Sequence, residues 1–344
     1  MISNLRQLHA LAALSALTLG SGLTGCAASV GPPPSDLLLL PPAGMLGIGQ
    51  DPAPFIIALG TAQDGGLPQI GCARECCTAA REDPSRVRLV TSLLLVDPRD
   101  GRRWLFDATP DIARQVERAR GLGGPPEDAP GRPALFDGIF ITHAHLGHVV
   151  GLLQLGREAY GSAPVPLIGT ERMAGFLGSN GPWSLLFDGG YARPEVLQPD
   201  ETLNLAEDLS VTAIQVPHRD EFTDTVAFLI RGPERSVLYL PDIDKWEKWD
   251  RRLEDVIAGV DVALVDGTFF GPAELPGRDM SQVPHPFIVE TLERIAPLPE
   301  AERGKVVFTH LNHSNPATDP TSDAAAAVRA AGSSILDDGD RIRL

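Results

Sequence analysis

The chain is short of basic residues, of cysteine and of long apolar runs, and each shortage excludes a class of protein. Its 344 residues carry 29 Lys+Arg against 45 Asp+Glu, a net charge of −16. A surface of that sign repels phosphate backbones, so no nucleic-acid partner held by charge is expected. Four cysteines are too few to staple a fold of this size. No apolar run reaches the roughly 18–20 residues of a membrane-spanning helix, and no internal repeat is evident. What is present is ordinary globular usage, 43% hydrophobic and 22% charged, which excludes global disorder. The 35 Gly and 31 Pro suit many turns and short strands.

The first residues read as a targeting segment. Arg6 gives a weakly basic start, and a stretch of Leu, Ala, Ser and Thr over residues 8–19 is broken only by His9. Leu23-Thr24-Gly25-Cys26 then sets small residues ahead of a cysteine. This resembles a bacterial lipobox, which implies lipidation of Cys26 after removal of a signal peptide over 1–25. Gly31-Pro32-Pro33-Pro34 and Pro41-Pro42 favour extended chain, so residues 26–52 are expected to be a Pro-rich tether. The folded domain is then 53–344. The expected location is outside the cytoplasm, facing the periplasm or cell exterior, with a bacterial membrane as partner through the lipid anchor.

From Phe55 onward, apolar runs of strand length alternate with helix-like stretches. The pattern predicts strands at 55–60, 89–97, 103–107, 138–142, 165–168, 211–217, 225–230, 236–240, 262–266 and 305–309. It predicts helices at 110–120, 149–160, 245–258, 286–295 and 321–331. Early strands come without helices between them, whereas later ones alternate with helices. That order predicts a single mixed α/β domain with helix-covered sheets, not a purely parallel doubly wound sheet.

The chemistry-bearing residues recur at strand ends. Ile141-Thr142-His143-Ala144-His145-Leu146-Gly147-His148 places three imidazoles in one turn between a strand and a helical stretch. Neutral histidine is a borderline-soft ligand, and two or three at short spacing can grip divalent ions. His218 follows the strand at 211–217, His310 ends the strand at 305–309, and Asp107 and Asp242 each follow an apolar run. A lone Asp after a strand is usually a turn former or helix cap. It is the co-occurrence of these residues that points to a metal centre.

In that order, Asp107, His143-x-His145-x-x-His148, His218, Asp242 and His310 resemble the metallo-β-lactamase superfamily. The resemblance covers residues from about 55 to the C-terminus and implies an αββα sandwich. It implies one metal on His143, His145 and His218 and a second on His148 and His310, with Asp242 bridging. Asp107 would orient a ligand histidine through its other ring nitrogen, and Asp242 and Asp107 are the expected catalytic carboxylates. One position departs from the pattern. The superfamily usually has Asp where this chain has Gly147, so the family's second-metal carboxylate is missing. A one-metal and a two-metal centre both stay open. Asp244 and Asp220 are the nearby carboxylates that could compensate, and an aspartate introduced at 147 is expected to strengthen the second site.

Within the superfamily the chain looks like the branch around pyrroloquinoline-quinone biosynthesis protein B. The segments Asp64-Gly65-Gly66-Leu67-Pro68-Gln69, Gly151-Leu152-Leu153-Gln154-Leu155-Gly156-Arg157-Glu158, Val265-Asp266-Gly267-Thr268-Phe269, Gly277-Arg278-Asp279-Met280 and His310-Leu311-Asn312-His313-Ser314-Asn315-Pro316 carry that likeness.

Cys72, Cys76 and Cys77 lie before the second strand. Two readings stay open: a disulfide with one free thiol, or a structural zinc on thiolates and a histidine. The loop is similar to the cysteine cluster of the metallo-β-lactamase-like phosphodiesterase of phosphonate degradation. That likeness implies His313, three residues after His310, as the fourth ligand. His285, before the helix at 286–295, is expected to be a turn residue near the site entrance. Trp246 and Trp249 are expected to pack into the core.

These readings predict a metal-dependent hydrolase of a small-molecule ester, amide, lactone or phosphodiester, with one or two zinc ions at the active site and iron or manganese as alternatives. The quinone-pathway resemblance allows an iron-dependent oxidase or oxygenase on the same fold. The carboxylate missing at Gly147 also allows a non-catalytic lipoprotein that binds a ligand or cofactor. The sequence leaves the oligomeric state open.

Overall fold

Fourteen strands, assigned within residues 53–344 of a computed structural model, form two seven-stranded sheets. Residues 53–344 are the described part of the chain; the expected signal segment, the lipidation residue Cys26 and the tether lie outside it. The first sheet takes β1 (Phe55–Gly60), β2 (Ser92–Asp97), β3 (Arg102–Phe106), β4 (Gly138–Phe140), β5 (Val165–Gly169) and β6 (Ala192–Val196). The second takes β7 (Thr202–Ala206), β8 (Leu209–Val216), β9 (Thr225–Arg231), β10 (Ser236–Leu240), β11 (Val262–Asp266), β12 (Val306–Thr309) and β13 (Ser334–Ile335). The last strand, β14 (Arg341–Arg343), returns to the first sheet beside β1. Both sheets are mixed: β1, β2 and β3 pair antiparallel and β3 to β6 parallel, while β7 to β10 pair antiparallel and β10 to β13 parallel.

The period-two alternation of strand side chains builds three apolar layers. Ile56, Leu93, Leu95, Phe106 and Phe140 face Val211, Phe228, Tyr239 and Leu264 between the sheets. Phe106 stacks on Phe140 with ring centroids 4.8 Å apart, and Phe228 meets both rings edge-on. Their neighbours along the strands, Ile57, Leu59, Leu94 and Leu105, point the other way and pack under helical segments that include Ile112 and Leu152. Leu238, Leu240, Ala263 and Phe308 do the same for the second sheet, beneath Leu253, Ile257, Ile288 and Val328. The result is the expected helix–sheet–sheet–helix sandwich of mixed α/β class. Among the described residues no helix is long and apolar enough to cross a membrane.

Several elements differ from the sequence pattern, each for a local reason. The helix expected at 149–160 is one α-helical turn, Leu146–Val149, followed by a 3-10 stretch, Val150–Leu155. Gly151 donates its N–H to Ala108 O at 2.9 Å, outside any α-helical ladder. The helix expected at 245–258 is a 3-10 turn, Trp246–Lys248, and a helix, Leu253–Ala258. Its two buried tryptophans, which are core residues as expected, anchor separately, Trp246 on Thr291 Oγ1 and Trp249 on Gln215 O. The unanticipated β6 and β7 are edge strands. Arg193, Pro194 and Glu195 give β6 almost no apolar signal, as suits a sheet edge.

Topology decides where the chemistry sits. β1, β3 and β4 run the same way in the first sheet, as do β8, β10, β11 and β12 in the second, so their carboxyl ends meet along one edge of the sandwich. Val226 N donates to Thr142 O at 3.0 Å across that edge and ties the two sheets together.

Candidate metal centre

Each site residue sits just beyond one of those carboxyl ends. Asp107 follows β3, His143, His145 and His148 follow β4, His218 follows β8, Asp242 follows β10, Asp266 closes β11 and His310 follows β12. The tertiary structure gathers all six expected active-site ligands. His143, His145, His218 and Asp242 offer atoms that lie within 4.8 Å of one another. A second group of the same tightness is Asp242, Asp266, His285 and His310, and a third is Asp64, His148 and His310.

The carboxylate of Asp242 lies among all of them. Its Oδ1 is 3.3 Å from His218 Nε2 and 3.2 Å from His285 Nδ1. Its Oδ2 is 3.4 Å from His143 Nε2, 3.7 Å from His148 Nε2 and 3.8 Å from His310 Nε2. His143 Nε2 and His145 Nδ1 face each other at 2.8 Å. Two nitrogens held about 2.0–2.1 Å from one tetrahedral ion stand roughly 3.3 Å apart, so this pair would open by about half an ångström to share a metal.

The chemistry of the donor set supports an ion. His145 Nε2, His148 Nε2, both ring nitrogens of His218, His310 Nε2, Asp242 Oδ1 and Asp64 Oδ1 are buried without a hydrogen-bond partner. Buried polar atoms are almost always satisfied, and leaving one unmet costs about 1–3 kcal/mol. Of these, Nε2 of His148, His218 and His310 and the Oδ1 atoms of Asp242 and Asp64 belong to groups whose ligand atoms converge, which fits cation binding.

Outer groups hold the rings in place. Asp107 Oδ2 lies 2.8 Å from His148 Nδ1 and accepts from Tyr239 Oη at 3.2 Å. Its Oδ1 accepts from Thr142 N and from Thr142 Oγ1, each at 2.9 Å. Asp266 Oδ2 lies 2.8 Å from His285 Nδ1, and its Oδ1 accepts from Thr268 Oγ1 at 2.7 Å. Thr268 Oγ1 in turn is 2.9 Å from His310 Nδ1. Imidazoles with one nitrogen fixed in this way present the other to a metal. Asp107 and His310 both adopt left-handed backbone, at φ 63° and 60°, a conformation that costs a residue with a Cβ energy and clusters at functional sites.

The electrostatics divide the histidines. Burial and the surrounding imidazoles hold His143 and His310 well below the usual range. Burial, with His285 next, brings His218 down to about 2. Burial also opposes a charge on His148, but Asp107 overrides it and raises the ring to about 9. His285 follows the same logic with Asp266 and reaches about 9. Burial lifts Asp242 to about 7, with Asp266 adding to the rise and His285 opposing it.

Two expectations are corrected. His285 does precede a helix, Ile288–Ile295, but it is a buried member of the centre and not an entrance residue. Asp244 and Asp220 do not replace the carboxylate missing at Gly147. Asp244 pairs with Lys248 Nζ at 2.6 Å, and Asp220 accepts from Thr225 Oγ1 at 3.3 Å. Asp64 and Asp266 are site residues beyond those expected from the sequence, and each follows or ends an apolar strand, the signal that also marks Asp107 and Asp242.

Away from the centre, Cys72, Cys76, Cys77 and His313 form a fourth group whose ligand atoms lie within 4.8 Å of one another. All three thiols are free, so the disulfide reading does not hold in this structure. The helix Glu75–Glu82 carries Cys76 and Cys77, whose sulfurs are 3.9 Å apart. Cys77 Sγ is 3.3 Å from His313 Nδ1, and Cys76 Sγ is 3.8 Å from it. Backbone N–H groups of Gln69 and Arg74 point at Cys77 and Cys72 sulfur, as donors do around thiolate ligands. Burial, with the neighbouring thiols, pushes Cys77 up to about 12, so ionising it calls for a cation.

Known proteins share this architecture. Residues 102–311 match the family described as the beta-lactamase superfamily domain. The chain is 31% identical over 312 residues to coenzyme PQQ synthesis protein B of Methylobacterium radiotolerans, covering 83% of this chain and 98% of that protein. It is 28% identical over 303 residues to the protein of the same name from Methylorubrum extorquens, covering 83% and 98%. Among solved structures, Zn(2+)-bound PqqB from Methylobacterium extorquens superposes with a TM-score of 0.68 at 24% identity, over 84% of this chain and all of that one. A diphosphatase of the PhnP family superposes with a TM-score of 0.57 at 20% identity, over 85% and 97%.

Proposed function

Because the chain belongs to the beta-lactamase superfamily, in the branch of the PQQ synthesis protein B relatives, we propose that it is a metal-dependent hydrolase of a small molecule. The observation that carries this reading is Asp242, buried between the Nε2 atoms of His148, His218 and His310, which have no hydrogen-bond partner. His143, His145 and His218 would hold one divalent ion, and His148 and His310 would hold part of a second site, with Asp242 facing both. A bound ion would supply Lewis acidity, bringing a water's pKa toward neutrality and polarising the bond under attack. Zinc suits this histidine-rich set, and the zinc in the PqqB structure supports that choice.

The chain's own residues supply orientation and protons. Asp107, Thr142 and Tyr239 fix the ring of His148, and Thr268 fixes that of His310. Asp266 raises the ring of His285 to about 9, and its Nδ1 lies 3.2 Å from Asp242 Oδ1; as an imidazolium it would serve as the acid for a leaving group. The bond cleaved is an ester, amide, lactone or phosphodiester.

The resemblance to PQQ synthesis protein B allows a second reading, an iron-dependent oxidase or oxygenase, because carboxylates among the histidines suit iron as well as zinc. Metal analysis of protein purified without added metal, followed by a screen of ester, lactone, amide and phosphodiester substrates, separates the two. Zinc with hydrolysis supports the first reading, and iron with oxygen-dependent turnover replaces it. Ligand-dependent stabilisation without any turnover would favour a binding protein.

We also propose export and lipid anchoring through Cys26, on the strength of the Leu23-Thr24-Gly25-Cys26 sequence. Cys26→Ala should move the protein out of the membrane fraction with its metal content unchanged.

A further inference from the structure

Asp64 lies in the loop after β1, at the same sandwich edge as the histidines, and its carboxylate occupies the space that a side chain at position 147 would need. An ideal Cβ on Gly147 would fall on Asp64 Oδ1 and would stand 2.9 Å from Asp64 Cα. Gly147 lies inside the helical turn Leu146–Val149, so ordinary helical backbone, open to any residue, does not explain the glycine. Close approach by Asp64 does.

The carboxylate is turned inward. Its Oδ1 is buried without a hydrogen-bond partner, although the side chain as a whole is 36% exposed. It stands 3.7 Å from His148 Nε2, beyond hydrogen-bond reach. It also groups with His310, whose Nε2 is likewise buried and partnerless.

The loop is tied to the strand end that bears His310. Gln63 N donates to Leu311 O at 2.9 Å, and the Asn312 side chain donates to Gln63 Oε1. Ala62 bridges both Val90 and Leu311.

We propose that Asp64 is the carboxylate ligand of the second metal, supplied from the β1 loop in place of the one missing at position 147. The inference rests on the metal-centre reading above. The second site is then Asp64, His148 and His310 with Asp242 shared, and the chain keeps a two-metal centre by exchanging which loop delivers the oxygen. A hard anionic oxygen beside two imidazoles raises affinity for borderline divalent ions.

The test is metal titration of the metal-free full chain with zinc, followed by calorimetry, and with cobalt(II), followed by absorption. Cobalt on thiolates absorbs strongly in the near ultraviolet, so the cysteine cluster is counted separately from the histidine centre. Wild type should take two ions at the histidine centre. Asp64→Asn, close in size and uncharged, should keep the first ion and weaken the second by about 10–100-fold or more. Gly147→Asp alone should fold less stably and bind the second ion no better. Asp64→Gly combined with Gly147→Asp should recover second-ion binding to within several-fold of wild type, given a shift of a few tenths of an ångström in the residue-64 backbone. Should that double variant not fold, Asp64→Asn decides alone: unchanged affinity for both ions overturns the proposal. A wild type that binds only one ion at the histidine centre overturns it too, with the first site intact. A wild type that binds none there instead removes the metal-centre reading itself.

Discussion

The carboxylate of Asp107 and the ring of His148 are both fully buried and 2.8 Å apart, and the pair links the core to the centre. Tyr239, at the middle of the inter-sheet core, donates its hydroxyl to the same carboxylate. Asp107 pays for this position with left-handed backbone, at φ 63°. Its hydrogen bonds to Thr142 hold the strained residue and fix the tautomer and tilt of His148. Asp107→Asn should therefore keep the fold and lower second-site metal affinity about 10–100-fold. Competition against a chelating indicator measures it, and wild-type affinity in the variant would remove Asp107 from its orienting role.

His143 and His145 face one another across the first site. Either replaced by Ala deletes one of three imidazole ligands, and the first ion should be lost on dialysis together with turnover. Elemental analysis checks the ion directly. Full metal occupancy in both variants would show that the first site lies elsewhere.

The thiolate cluster is a matter of stability, since it lies apart from the histidines. Cys77→Ser should lose the ion held by Cys72, Cys76, Cys77 and His313 and leave the histidine centre loaded. An ion at 100 times its Kd adds about 2.7 kcal/mol, and at this size 1 kcal/mol is roughly 1.5–2 °C. The expected fall in Tm is roughly 4–5 °C by calorimetry. An equal Tm with and without a chelator in wild type would mean that no ion supports this loop.

Metal uptake should be steeply pH-dependent. Without metal, His148 titrates at about 9 and Asp242 at about 7, so at neutral pH the centre holds protons that an ion must displace. Affinity should rise with pH, by about tenfold per unit for each proton released, most steeply below 7 and levelling off above 9. Calorimetry in buffers of different ionisation enthalpy counts the protons. Binding without proton release at pH 7 contradicts this arrangement.

The His285–Asp266 pair should matter most for reluctant leaving groups. His285→Gln is expected to lower kcat about 10²–10⁴-fold on substrates whose leaving group needs a proton, and far less on nitrophenyl substrates. Equal losses on both kinds would point to a ligand or packing role for this ring.

Much of the centre could be read before the fold was known. His143, His145, His148, His218, Asp242 and His310 each follow an apolar strand in the sequence, and strand ends are where local pattern is strongest. The helices at 149–160 and 245–258 were misjudged because their backbone hydrogen bonds leave the segment, as Gly151 to Ala108 shows. β6 and β7 were missed because edge strands need little apolar surface.

The sequence by itself carried the mixed α/β class and the candidate histidines and aspartates at strand ends, through residue identity and short spacing, while the carboxylate missing at Gly147 shows only against the superfamily pattern that the chain resembles. Only the tertiary structure decided which side chains share a site. Asp64 is 83 residues from Gly147 along the chain, yet fills its missing side-chain space because β1 and β4 run the same way and end at one edge. His285, read as a turn residue, became a buried partner of Asp266 and Asp242. The three cysteines proved to be free and gathered against His313. Local pattern encodes which way a strand ends. Which ends meet depends on sheet pairing over hundreds of residues, and no short spacing records that.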